Sequence, residues 1–402
     1  MVTAHQTARY GHSHPARAIS GIHPWRILSG LAISGFLLAL PGGLLPLWGY
    51  HVNPDFGIAA NYFLALGAGL TGGSMLAIRL RDKYLLAHLL GAGSVGGALV
   101  LLLLPFAQPP ASAWYQAFVL LIAGAAAGII NTTVCESIAQ AYEADPAGIT
   151  LMGGGFFGAG SAVSAWLLAE CLDAPGPARI MALAAIVPGA AGLMISRLKL
   201  NRPVVKVLPM REATEDLRSV LAILFALLLF FQFANEWSIA GWLPVFLIDR
   251  LGMSPAGAVM LLSFYWLALT IGRFVTARLL PVVRHGRLLA ISAFCALFGC
   301  IALDTDTRLG VVTGILLTGA GFSAIYPLAA EKIAARFTYY HPGYFNGIFT
   351  FAMMGGIVAP FVLGHAVAMS GLRIVPVAAM AGSCAVFALV LVLALGKKVS
   401  GS

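Results

Sequence analysis

Apolar stretches of helix length recur along this chain, separated by short polar breaks. They fall at 26–50, 57–79, 84–106, 114–141, 147–171, 177–197, 217–247, 255–281, 286–303, 308–336, 344–368 and 373–396. A helix of about 20 apolar residues spans the hydrocarbon core of a bilayer. The pattern therefore predicts an all-α polytopic membrane protein with twelve transmembrane helices. The short breaks predict antiparallel neighbours. Residues 1–25 are polar, contain His5, His12, His14 and His23, and lack the apolar core of a cleavable signal. They read as a disordered cytosolic tail, with metal binding by the histidines as the alternative. The basic break at 198–216 reads as a cytosolic linker between two six-helix bundles, 26–197 and 217–396, with a short cytosolic tail at 397–402.

The two halves repeat. YFLALGAG at Tyr62–Gly69 resembles YWLALTIG at Tyr265–Gly272, ESIAQAY at Glu136–Tyr142 resembles EKIAARF at Glu331–Phe337, and Leu45–Pro46 resembles Leu243–Pro244. The offsets run from 195 to 203 residues and keep the same order. An internal repeat of parallel orientation marks a transporter built from two halves. Composition agrees. The chain is 60% hydrophobic and only 10% charged, against about 25% charged in a soluble domain. Its net charge of +9 invites a nucleic-acid reading, but the basic residues flank apolar spans and form no stripe with interleaved aromatics. Placing the N-terminus in the cytoplasm puts 20 of the 24 Lys and Arg inside, leaving Arg179, Arg250, Arg308 and Arg373 outside. That asymmetry predicts both termini on the cytoplasmic side of the plasma (inner) membrane. The five cysteines include no close pair, which excludes a disulfide framework or a zinc site.

One stretch departs from the apolar rule. Within the seventh span, FFQFANEWSIAGWLPVFL from Phe230 to Leu247 carries Gln232, Asn235 and Glu236, with no residue able to pair with Glu236 nearby in its own segment. A carboxylate at the centre of a membrane helix costs about 2.5–3.5 kcal/mol. Gln232 and Glu236 are four apart and share a helix face, which must look into a bundle or a watery cavity. The functional reading is a substrate or proton site; the structural one is polar glue between packed helices. Arg273, deep in the eighth span, either binds an anionic group or pairs with an acid, with carbonyls, or with the inner interface. Glu136 and Glu331, near the inner ends of the fourth and tenth spans, have Arg81 and Arg284 as expected partners. They read either as a cytoplasmic gate or as ordinary interfacial acids.

Other motifs fall away. Two GxGxxG strings, Gly67–Gly72 and Gly91–Gly96, lie inside spans where no βαβ unit is available; small residues there let helices approach. HExxH and GxSxG are absent from the sequence, so the chain reads as no enzyme of those classes. Aromatic residues gather in or near the first, seventh, eighth and tenth spans. Trp48 and Trp242 are expected at the outer interface, with Tyr265 and Tyr326 deeper. Tyr326 precedes Pro327, which frees a carbonyl in mid-helix.

These residues bear a likeness. Over nearly its whole length the chain resembles the major facilitator superfamily. The segments ANEWSIAGWLPVFL, FYWLALTIGRF, GFSAIYPL and GGIVAPFVLG resemble its fucose/hexose permease-type branch. The resemblance implies a secondary transporter that moves a small polar solute, a sugar, by alternating access with a proton. It matches Glu236 to the acid beside the sugar cavity. The substrate or proton site is then expected to comprise Glu236, Gln232, Asn235, Asn131, Tyr265 and Tyr326. The expected partners are the solute, protons and membrane lipids, for a monomer with no cofactor and no nucleic acid. The alternatives are an exporter of drug-like or amphipathic compounds and a non-transporting receptor.

Overall fold

The computed structural model describes residues 24–198, 219–337 and 347–399. The four tail histidines, all but residue 198 of the expected linker, and residues 400–402 lie outside that description. Among these residues, twelve helices are long and apolar enough to cross a membrane. They are α1 (Pro24–Leu47), α2 (Phe56–Leu80), α3 (Leu86–Ala107), α4 (Ala113–Ser137), α5 (Pro146–Asp173) and α6 (Pro177–Ile195) in the first half. The second half holds α7 (Val220–Leu251), α8 (Pro255–Leu279), α9 (His285–Leu303), α10 (Arg308–Arg336), α11 (Ile348–Ser370) and α12 (Ile374–Ala394). An even number of crossings puts the start of α1 and the end of α12 on one side, called here the terminal face.

Local chemistry explains the starts and breaks. Asp55, Ser112, Asp145, Ser219, Ser254 and Thr307 each accept a hydrogen bond from the backbone N–H three residues on. Each satisfies one of the four orphan donors of a helix start. Pro146 and Pro255 occupy the first helical position, where no N–H is needed. α7 stops at Gly252, whose φ of +58° is the left-handed cap conformation. α10 is broken between Phe322 and Ile325. Pro327 has no N–H for the Ser323 carbonyl and its ring crowds that carbonyl, so the helix parts there. Pro244 does the same to the Ala240 carbonyl in α7, and that oxygen faces Gly42 of α1, where a Cβ would come within 2.2 Å. α4 ends at Ser137 rather than continuing to 141: Ile138 leaves the helical conformation and a short turn of helix, Ala139–Ala144, follows.

Packing follows a twofold scheme. In the first half α2 packs on α4, α1 on α5, and α3 on α4 and α6. In the second, α8 packs on α10, α7 on α11, and α9 on α10 and α12. The halves meet where α5 packs on α8 and α2 on α11. Advancing each helix by six places maps one contact onto the other. The fold is thus two pseudo-symmetric six-helix bundles. The glycine pairs of α2 and α4 serve close approach, as expected: a Cβ at Gly69 would lie 2.0 Å from the Leu121 carbonyl oxygen.

Candidate functional site

Between the bundles lies a cavity of about 220 Å³. Its wall reaches from Glu236, midway along α7, to the first turns of α1, α5 and α11 and the last turn of α4. It therefore extends toward the terminal face. The opposite end is sealed. Trp242 donates its indole N–H to the Pro360 carbonyl at 3.0 Å, and its ring meets Phe56 and Phe63 with centroids 5.9 and 5.5 Å away. Trp242 is fully buried and Trp48 nearly so. Their expected place at a membrane interface is therefore corrected. The rings of α2 close over Trp242, and Trp48 stacks edge-on to Tyr62, where the amphipathic anchor role has no water to reach.

α7 is enclosed by α1, α8, α11 and α12, so its polar residues point into different neighbours. Glu236 faces the cavity. Gln232, one turn away, donates to Glu236 Oε2 at 3.2 Å and to the Phe322 carbonyl at 3.5 Å. It supports the carboxylate from behind and is not on the cavity wall. Asn235 turns the other way, donating to Ser383 of α12 at 3.1 Å, whose hydroxyl lies 3.1 Å from Cys300 of α9. It belongs to a buried polar thread inside the second bundle; one residue along a helix is a rotation of about 100°. Tyr265 is also behind the wall, its hydroxyl donating to the Glu236 carbonyl at 3.4 Å. Asn131 and Tyr326 do line the cavity.

The partner that α7 lacks comes from α8. Arg273 Nη2 lies 3.8 Å from Glu236 Oε1, with both side chains about 5% exposed or less. Arg273 Nη1 donates to the Gly154 carbonyl on α5, which belongs to the other bundle. A Cβ at Gly154 would sit 2.8 Å from the guanidinium carbon, so a larger residue there would push the guanidinium aside. The sequence left binding of an anionic group open against pairing with an acid, carbonyls or the inner interface; in the structure Arg273 meets both an acid and a carbonyl. It belongs to the site. Its signal was an arginine deeper in its span than the other basic residues.

The cavity wall also carries polar atoms that no group among the described residues satisfies. Asn131 Oδ1, Thr150 Oγ1, Thr350 Oγ1 and Arg273 Nε are buried without hydrogen-bond partners. Trp237 faces the same space, held edge-on by Phe157 and Trp266 at 6.0 Å. Tyr326 is packed by Phe233 at 5.1 Å. Thr150 and Thr350 carried no signal in the sequence, because single threonines are common in membrane helices.

At the terminal face, Arg81 Nη1 bonds Glu136 Oε1, joining α2 to α4. Glu331 is met by His285 rather than Arg284, a correction to the expected pairing. His285 Nδ1 lies 2.8 and 2.7 Å from the two carboxylate oxygens, and its Nε2 is 3.3 Å from the Leu280 carbonyl. Arg284 precedes the first turn of α9 with extended backbone and is exposed, whereas His285 begins the helix beside α10. Each pair lies within one bundle. Tyr142 lines the cavity too, and burial pushes the pKa of its phenol above the usual value, so it stays an uncharged hydroxyl.

Comparison with known proteins agrees with this fold. The family model described as Major Facilitator Superfamily matches residues 27–360. An uncharacterised MFS-type transporter of Yersinia pestis is 31% identical over 102 residues, 25% of this chain and 27% of its own length. A glucose/galactose transporter of Brucella abortus is 26% identical over 153 residues, 35% of each chain. The chain thus aligns with about a third or less of these relatives. The crystal structure of FucP in the outward conformation superposes with a TM-score of 0.61 at 16% identity, covering 92% of this chain and 98% of that one. The N162A form of FucP, the E. coli fucose:proton symporter, superposes equally well over 91% and 97%. At that identity the likeness is one of fold.

Proposed function

The chain belongs to the major facilitator superfamily of membrane transporters, and we propose that it carries a sugar across the bilayer by alternating access together with a proton. The observation that carries this reading is Glu236: a carboxyl 3% exposed that faces a cavity shared by both bundles. An intramembrane acid facing such a cavity is a coupling or binding group by default. Trp237 and Tyr326 offer faces for a sugar ring, and Asn131, Thr150 and Thr350 offer hydrogen bonds to hydroxyls. The likeness to a glucose/galactose transporter and to a fucose:proton symporter supports the same solute class. On this reading the terminal face is cytoplasmic, the bundles 26–197 and 217–396 rock about the linker 198–216, and the Arg81–Glu136 and His285–Glu331 pairs brace the cytoplasmic gate.

A second reading has its own support. Leu28, Leu31, Leu38, Leu70, Phe157 and Ile357 make much of the wall apolar, which suits an exporter of amphipathic compounds. Uptake of labelled hexoses into proteoliposomes, with and without an imposed pH gradient, separates the two. Accumulation driven by the gradient is expected. Hexose indifference combined with gradient-driven extrusion of a lipophilic cation would select the exporter.

A further inference from the structure

Arg273 is short of acceptors. A guanidinium has five N–H donors in a fixed fork, and buried donors are as a rule satisfied. Here Nη1 is engaged by the Gly154 carbonyl. Nε is buried with no partner among the described residues, and Nη2 stands 3.8 Å from Glu236, beyond hydrogen-bond distance. Nε and Nη2 form the edge that grips a carboxylate through two parallel bonds. That edge belongs to a side chain 4% exposed on the wall of the cavity.

The charges point the same way. Among the described residues of the wall, Glu236 and Arg273 carry the formal charges. The groups around Glu236 are Gln232 on its own helix, Arg273 and Tyr265 from α8, and Tyr326 from α10, with Asn131 of α4 and the Gly154 carbonyl of α5 across the cavity. Only Arg273 is a cation. With Glu236 ionised, the pair is neutral. Once Glu236 takes a proton, Arg273 is an uncompensated buried cation, a costly state. A neutral solute does nothing to relieve it. A monoanion does, by putting its carboxylate on the open edge.

We propose that Arg273 Nε and Nη2 bind the carboxylate of a hydroxylated monocarboxylic acid, a sugar acid, which travels with one proton on Glu236. The balance is simple: one negative charge and one proton cross together, so the step is electroneutral. The unpartnered Thr150 and Thr350 hydroxyls and Asn131 then meet the solute's hydroxyls. This rests on the transporter reading above and narrows its solute.

The test uses the full chain in proteoliposomes with labelled glucuronate and glucose. Glucuronate is expected to accumulate down an imposed proton gradient at a rate unaffected by a potassium diffusion potential. Its half-saturating concentration should be at least about tenfold below that of glucose, the effect of one added charge-assisted pair. Arg273→Lys keeps the cation and removes the fork, so the preference for the acid should fall toward parity. Melting of the purified variant checks its fold, and the electroneutrality measurement on the wild type needs no variant. Glucose accumulation without glucuronate transport would overturn the proposal and leave the sugar reading standing, as would glucuronate uptake that follows the membrane potential. Failure to carry either solute would remove the sugar reading as well.

Discussion

Replacing Glu236 by Gln removes one charge and almost no volume. The cost can be worked from the geometry. Two unit charges 3.8 Å apart attract by about 4 kcal/mol at an effective dielectric of about 20. Arg273 keeps its bond to the Gly154 carbonyl, so part of its desolvation stays compensated. Denaturant unfolding in detergent should therefore show Glu236→Gln destabilised by about 3–4 kcal/mol, within the range for breaking a buried pair. Removing both charges in Glu236→Gln with Arg273→Gln should restore most of that loss. In transport, the variant still presents an amide where the carboxyl was, but it has no proton to release. Exchange of labelled solute across the membrane should persist while accumulation against a gradient disappears. A double-mutant coupling under about 0.5 kcal/mol would mean that the pair is solvated and weak, and the argument from burial would fail. Full proton-driven accumulation by Glu236→Gln would remove Glu236 from coupling and leave it as helix-packing glue.

Three further outcomes follow from the packing. Asn235→Ala should lower stability by about 1–3 kcal/mol, since Ser383 loses a buried partner, yet leave the KM for solute within twofold; a larger rise in KM would return Asn235 to the cavity. Arg81→Ala or His285→Ala should speed cytoplasmic alkylation of the cavity-lining Cys135, measured with the other cysteines replaced by serine; unchanged labelling would take both pairs out of the gate. Trp242→Ala should cost about 3–5 kcal/mol and admit impermeant thiol reagents to Cys135 from the face opposite the termini, whereas exclusion of reagent from that side would show that Phe56 and Phe63 seal the cavity without it.

The helices were legible because lipid imposes a length and an apolar composition on every crossing. Their ends shifted by a few residues, as at Ile138, which leaves the helical conformation, and at Gly252, whose left-handed φ stops α7. Glu236 was legible because an acid in a span is rare. What the sequence withheld was direction around the helix axis. Gln232, Asn235 and Glu236 look like one polar patch in the sequence, but three helices share them out. The partner of Glu236 lay 37 residues away on α8, and no spacing rule reaches across helices. His285 displaced Arg284 for a similarly local reason, one residue of helix start.

The repeat explains where the site is, and its breakdown explains what the site can do. Subtracting the offsets of the repeated segments pairs Glu236 with Leu38, Arg273 with Leu70 and Tyr326 with Asn131, and all six line the cavity. On α5 and α11 an offset of 200 residues pairs Ile149 with Phe349, Thr150 with Thr350, Gly153 with Met353 and Phe157 with Ile357, again all on the wall. The cavity surfaces of the two bundles are therefore equivalent, as the proposed alternating access requires. The charges are not. Both formal charges of the wall stand in the second bundle, opposite leucines of the first, while the Gly154 carbonyl that holds Arg273 stands in the first. A symmetric charge arrangement would put two acids and two arginines into one cavity and bind a proton equally at either half. With a single pair, one protonation would change the charge of the whole cavity, and in the proposed cycle the bond from Arg273 to Gly154 lies across the surface where the bundles move.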